Sequence, residues 1–175
     1  MSVGSRAPAG NGTVEFEGGH AHLAFRRFLA HPPADVWAAL TDPAELAQWY
    51  MTQGTVDARP GGSVEFVSGP SRFHVTGRIL RWEPPSVFEH EWKVAPRAEL
   101  PQGEDAVVRW ELRPEGTGTL LSVTFRGLRR PTGIGFAPGF HAFLDRLGAQ
   151  LDGQPLPNWM GRVTELRPQY PAWDA

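Results

Sequence analysis

Between Thr55 and Arg126, apolar side chains recur at every second position in one segment after another, and from Pro138 onward the spacing changes to three and four. A chain with that order lays consecutive strands side by side in an antiparallel sheet and then packs a helix on it. The strand segments are Thr55 to Arg59, Ser63 to Ser68, Arg72 to Trp82, Val87 to Val94, Ala106 to Arg113 and Thr119 to Arg126. Pro60-Gly61-Gly62, Pro84-Pro85 and the stretch from Pro114 to Gly118 supply turns between them. Upstream, Val14 to Glu17 and His20 to Ala30 flank Gly18-Gly19 as a short hairpin leading into a long strand. Pro32-Pro33 opens a short helix in which Val36, Trp37 and Leu40 share a face. A second short helix starts at Asp42, with Pro43 at its first position and Glu45 placed to close a capping box, and runs to about Trp49-Tyr50. The long helix carries Phe140, Phe143, Leu144, Leu147 and Leu151 on one face and ends at Gly153, and a last short helix spans Trp159 to Leu166. The expectation is an α+β fold with about six or seven antiparallel strands curved around one long helix.

At 175 residues the chain suits one domain. Residues 1–13 lack apolar periodicity and read as a flexible tail, 14–153 as the domain, and 154–175 as an extension that packs on the domain or forms a homodimer interface. Hydrophobic residues make up 41%, yet no run approaches the roughly 18 residues that cross a bilayer, and the first residues lack the apolar stretch of a secretion signal. A cytoplasmic protein without membrane insertion is expected. Cysteine is absent, which excludes disulfides, thiolate metal sites and cysteine nucleophiles. Seventeen basic residues face nineteen acidic ones with no basic cluster beyond adjacent pairs, so nucleic acid is not an expected partner. The compositional excess lies in seven Trp and ten Phe, rings that must fill a core or line a pocket.

Strand parity assigns those rings. Val64 and Phe66 share one face; so do Phe73, Val75, Gly77 and Ile79; so do Phe88, His90 and Trp92. Val108, Trp110 and Leu112, and Leu121, Val123 and Phe125, complete a mostly apolar concave surface. Either these side chains pack solidly against Phe140, Phe143 and Leu147, or they leave a cavity. His90 is polar within the apolar set, so it is either a core histidine bonded to backbone or a group that orients a ligand. His141 and Asp145 sit one helical turn apart, as a surface pair or as an oriented base. His20 and His22 alternate on a strand without a third ligand at useful spacing, and no metal or cofactor is expected. Gly133-Ile134-Gly135 lacks the βαβ context of a dinucleotide loop, and no serine sits in a nucleophile elbow.

Four stretches resemble the activator of heat-shock-protein-90 ATPase family, within the START-like, polyketide-cyclase-like helix-grip proteins. They are Ala30 to Trp49, with its proline, Val36-Trp37, Thr41-Asp42-Pro43 and Trp49; Arg59-Pro60-Gly61-Gly62; Gly77 to Pro85 followed by Glu91-Trp92; and Gly139 to Leu147 with Leu151-Asp152-Gly153. Phe140 stands where bacterial members more often carry Trp. The resemblance implies a helix-grip fold with a cavity between sheet and long helix. It implies binding of a hydrophobic small molecule, whether lipid, aromatic or polyketide-like, without conversion. Placed on this sequence, the lining would be Phe66, Phe73, Ile79, His90, Trp92, Trp110, Phe140 and Phe143, with His90 as orienting group and no residue assigned to catalysis. Two alternatives stand beside it: a cyclase or aromatase in which His90, or His141 with Asp145, moves protons, and a module that docks on a chaperone.

Overall fold

The computed structural model describes residues 12–172. Among them run β1 (Thr13–Glu17), β2 (His20–Leu29), α1 (Pro33–Thr41), α2 (Pro43–Trp49), β3 (Thr52–Val56), β4 (Ser63–Ser68), β5 (His74–Glu83) and β6 (Val87–Val94). β7 (Glu104–Glu115), β8 (Gly118–Arg129), α3 (Arg130–Leu151) and α4 (Trp159–Leu166) follow, and a single 3₁₀ turn, Arg167–Gln169, ends the regular structure. The strands form one antiparallel sheet of eight in the order β1-β2-β8-β7-β6-β5-β4-β3. Only the β2–β8 contact joins strands that are not successive in the chain. Register shifts between Ala21 and Leu23 in β2 and between Ile79 and Arg81 in β5 bend the sheet around α3, since an extra residue on one strand increases local twist. This is the helix-grip arrangement, with the N-terminal hairpin strand included in the sheet.

Parity holds where the strands are paired. Val64, Phe66, Val75, Phe88, His90, Trp92, Val108, Trp110, Leu112, Leu121, Val123 and Phe125 are all buried on the concave side. The convex side carries charge: Glu89 lies between Arg109 and Arg126, and Glu91 between Arg78 and Lys93. Burial of the apolar face, at about 25 cal/mol per Å² removed from water, dominates what holds sheet to helix.

Three local expectations shift. β3 lies at Thr52–Val56 rather than Thr55 to Arg59, because the Asp57 N–H bonds the Ser63 carbonyl and the Gly62 N–H bonds the Arg59 carbonyl, closing the turn early. Asp42 caps α2 by accepting from the Ala44 N–H at 2.9 Å, but Glu45 does not complete a capping box: its carboxylate accepts from the Gln150 amide and ties α2 to α3. Most consequential, α3 starts at Arg130, eight residues before Pro138, with Pro131 in its first turn and Pro138 inside it. Gly133 lies so close to β2 that a Cβ there would sit 2.4 Å from the Ala21 Cβ, and this packing outweighs the poor helix propensity of glycine and proline.

Of the tail read at 1–13, residues 1–11 lie outside the described residues, whereas Thr13 begins β1 and the Gly12 N–H bonds the Tyr170 hydroxyl at 2.8 Å. No helix among the described residues is long and apolar enough to cross a membrane.

Candidate ligand-binding cleft

Three elements leave space between them. Successive residues of α3 on one face, Thr132, Gly135, Phe136, Gly139, Phe140, Phe143 and Arg146, look onto Phe66, Val75 and Trp92 of the sheet across a cleft of about 660 Å³. Its rim is the β4–β5 turn from Ser68 to Ser71, Met51 after α2, and Asn158, Trp159 and Met160 at the start of α4. A volume of this size lies within the range of about 300–1,000 Å³ that small-molecule sites occupy. The lining is mostly apolar, and at 1.5 Å per residue the helix segment from Thr132 to Arg146 makes it about 20 Å long.

Local structure fixes each wall. Trp49 donates its indole N–H to the Ala39 carbonyl at 2.8 Å, which holds α2 against α1 and delivers Tyr50 to the cleft. Met51 then takes a left-handed backbone conformation (φ 51°), and its carbonyl accepts the Gly69 N–H at 2.8 Å. A Cβ at Gly69 would lie 2.3 Å from that carbonyl oxygen, so the rim closes only with glycine there. On the far side Trp159 stacks on Phe143, centroids 5.3 Å apart, and donates its indole N–H to the Gly139 carbonyl at 3.0 Å. The C-terminal extension is thereby part of the cleft.

Of the eight residues expected to contact a ligand, Phe66, Trp92, Phe140 and Phe143 line this cleft. Phe73 braces it from behind, edge-on to Trp92 with centroids 6.4 Å apart, and Ile79 is buried in the sheet beside His90. His90 and Trp110 face a separate pocket of about 20 Å³, room for a single water, behind a wall of Tyr50, Phe66 and Trp92. The His90 Nδ1–H donates to the Glu91 carbonyl at 2.8 Å. Burial lowers the His90 pKa to about 4 against the weaker pull of that bond, so the ring is a neutral core histidine. It lines that small pocket and not the cleft.

His141 is buried and Asp145 half-buried, and neither lines the cleft. The Tyr170 hydroxyl donates to His141 Nδ1 at 2.7 Å while accepting the Gly12 N–H, and Asp145 takes hydrogen bonds from Arg27 and Arg162, each at 2.7 Å. Burial first, then the Arg27 charge, lowers the His141 pKa to about 4. The cluster clamps both ends of the described chain to α3.

Two polar cleft residues, Tyr50 and Arg146, lie outside the expected contacts. Tyr50 stacks on Trp49, and its hydroxyl has no hydrogen-bond partner among the described residues. Burial raises its pKa well beyond the usual phenol range. Arg146 follows Gly139 and Phe143 at helical spacing of four and three, so a charged residue on the inner stripe is the sequence signal that marks it. Tyr50 has no such signal, because it lies beyond the last helical turn of α2. Among the described residues no group of three or more His, Asp or Glu is placed to hold a metal ion.

Solved structures share this architecture. Protein MLL2253 from Mesorhizobium loti is 26% identical, with a TM-score of 0.68 over 77% of this chain and 99% of that one. CalU16 from Micromonospora echinospora is 26% identical, with a TM-score of 0.66 over 88% and 92%. The protein encoded by BPP1335 from Bordetella parapertussis is 26% identical, with a TM-score of 0.68 over 96% and 93%. No curated protein matches the chain. The sequence pattern of the Activator of Hsp90 ATPase homolog 1-like protein family spans residues 30–152, from the end of β2 to the end of α3, and the chain belongs to that family.

Proposed function

We propose that the protein binds a hydrophobic small molecule in the cleft between the sheet and α3 without converting it. The observation that carries this reading is the cleft itself: about 660 Å³, lined by Phe66, Trp92, Phe136, Phe140, Phe143 and Trp159, with an unbonded Tyr50 hydroxyl among them. Apolar burial supplies the affinity, and the few polar groups set orientation. A non-converting role is supported by where the proton-moving candidates sit. His90 is held by backbone behind the cleft wall, and His141 with Asp145 is engaged with Tyr170, Arg27 and Arg162. A chaperone-docking role rests on the family name; the convex sheet face offers ion pairs rather than an apolar patch.

Trp92 and Trp159 report occupancy. Titrating lipids, flavonoids and aromatic polyketides against tryptophan emission is expected to give saturable changes for at least one class. An unchanged spectrum across all three classes would overturn the reading.

A further inference from the structure

The cleft is asymmetric along α3. One end is formed by Pro131, Thr132, Gly135 and Phe136; the other by Arg146 and Asn158, with the Tyr50 ring edge-on to Phe143, one helical turn before Arg146, at a centroid distance of 5.0 Å. Arg146 is half-buried and bound only to neutral acceptors: Nε donates to the Trp49 carbonyl at 3.0 Å, Nη2 to the Gln48 carbonyl at 2.9 Å, and Nη1 to the Pro157 carbonyl. Three of its five N–H groups are thus used, leaving one hydrogen on each Nη. Burial depresses its pKa, and no carboxylate acts on it. By contrast Arg27, Arg109 and Arg162, half-buried as well, each have a carboxylate within 3.2 Å. The acids nearest in sequence are committed elsewhere, Asp145 to Arg27 and Arg162 and Asp152 to His31, and Glu45 of α2 is held by Gln150. Arg146 therefore brings an unneutralised charge to one end of a mostly apolar cleft, and its Nε anchors on the residue that precedes Tyr50, whose hydroxyl is unbonded.

We infer that the ligand is an elongated apolar carboxylic acid, its acid group read by Arg146 and the Tyr50 hydroxyl and its body laid along α3 toward Phe136. A planar fork with spare hydrogens suits a carboxylate, and a hydrogen bond to an ionised group is stronger than one to a neutral group. This inference rests on the apolar-cleft reading above and adds the chemistry of one end.

The test compares decanoate with decan-1-ol on the unmodified protein by isothermal titration calorimetry at neutral pH. The two share an alkyl body and differ in the charged head. Decanoate is expected to bind roughly tenfold tighter or more. Tyr50→Phe, which leaves the ring packing intact, is expected to cut that preference severalfold, and Arg146→Gln to abolish it. Because Arg146 also clamps backbone, a variant that fails to fold is replaced by the Tyr50→Phe comparison, which decides by itself. Equal binding of the two compounds by the unmodified protein would overturn the acid inference and leave the apolar cleft standing. Binding of neither would overturn the inference of an elongated apolar acid, while the cleft reading is decided separately by the tryptophan titration across all three ligand classes.

Discussion

His141 is buried, accepts a hydrogen bond from Tyr170 and lies beside Arg27 and Arg162, so protonating it places a further positive charge among two others. His90 is buried among rings, with Phe88 and Phe66 centroids 5.0 Å and 6.0 Å away. In the unfolded chain both imidazoles take up a proton near 6.5; in the native fold they do so only near about 4. Between those values the unfolded state binds more protons, so stability is full above the unfolded value and falls as pH drops through the window. Urea unfolding at about pH 5 is expected to show a loss of roughly 2 kcal/mol per ring relative to pH 7. His141→Ala is expected to cost about 1–3 kcal/mol at neutral pH by stripping Tyr170 of its acceptor, and to flatten this pH dependence. Sequence spacing puts His141 at the edge of the inner stripe. The residue that buries it, Tyr170, arrives from 29 positions away, which no local pattern reveals.

Among the elements, α3 shows most plainly how local propensity yields to packing. Its first turns contain Pro131, Gly133, Gly135, Pro138 and Gly139, a composition that reads as loop, and the apolar repeat becomes legible only from Phe140. Two glycines of this helix are expected to respond oppositely to the same change. At Gly133 a Cβ would stand 2.4 Å from that of Ala21, so Gly133→Ala should destabilise by about 1–3 kcal/mol. At Gly148 the nearest atom, Leu29 Cδ2, lies 3.9 Å away, so Gly148→Ala should stabilise by about 0.5–1 kcal/mol. Thermal unfolding of the two variants checks both signs. The strands, by comparison, were legible because alternation survives wherever one face is buried; β4, β6, β7 and β8 show it directly. β3 begins three residues before its alternation is readable, because Gly54 interrupts the apolar pattern, and it ends in the Asp57–Gly62 turn.

At the scale of the molecule, one curved sheet and one helix explain both the core and the gap in it. Phe25, Trp110, Phe125 and Phe140 close the interior along the middle of α3, with ring centroids 5.0–5.7 Å from Phe140. The side of the helix facing β4, the β4–β5 turn and the start of α4 is left apolar and unfilled. Half of the eight expected contacts are in that lining: Phe66, Trp92, Phe140 and Phe143. Further lining comes from segments outside regular periodicity, Tyr50, Met51, the rim loop and Trp159, whose positions depend on tertiary contacts such as the Trp49 indole bond and the Trp159–Phe143 stack. Gly135 lines the cleft from an exposed helical position, so Gly135→Trp should put an indole into it and obstruct one end while changing stability by no more than about 1 kcal/mol.

Native mass spectrometry of protein purified without organic solvent tests the cleft most directly, run in parallel on the unmodified chain and on Gly135→Trp. The cleft account expects a retained small-molecule mass, or one acquired on incubation with apolar compounds, on the unmodified protein and its loss from the variant. A bare protein mass under every condition, or an adduct held equally by the obstructed variant, would contradict it.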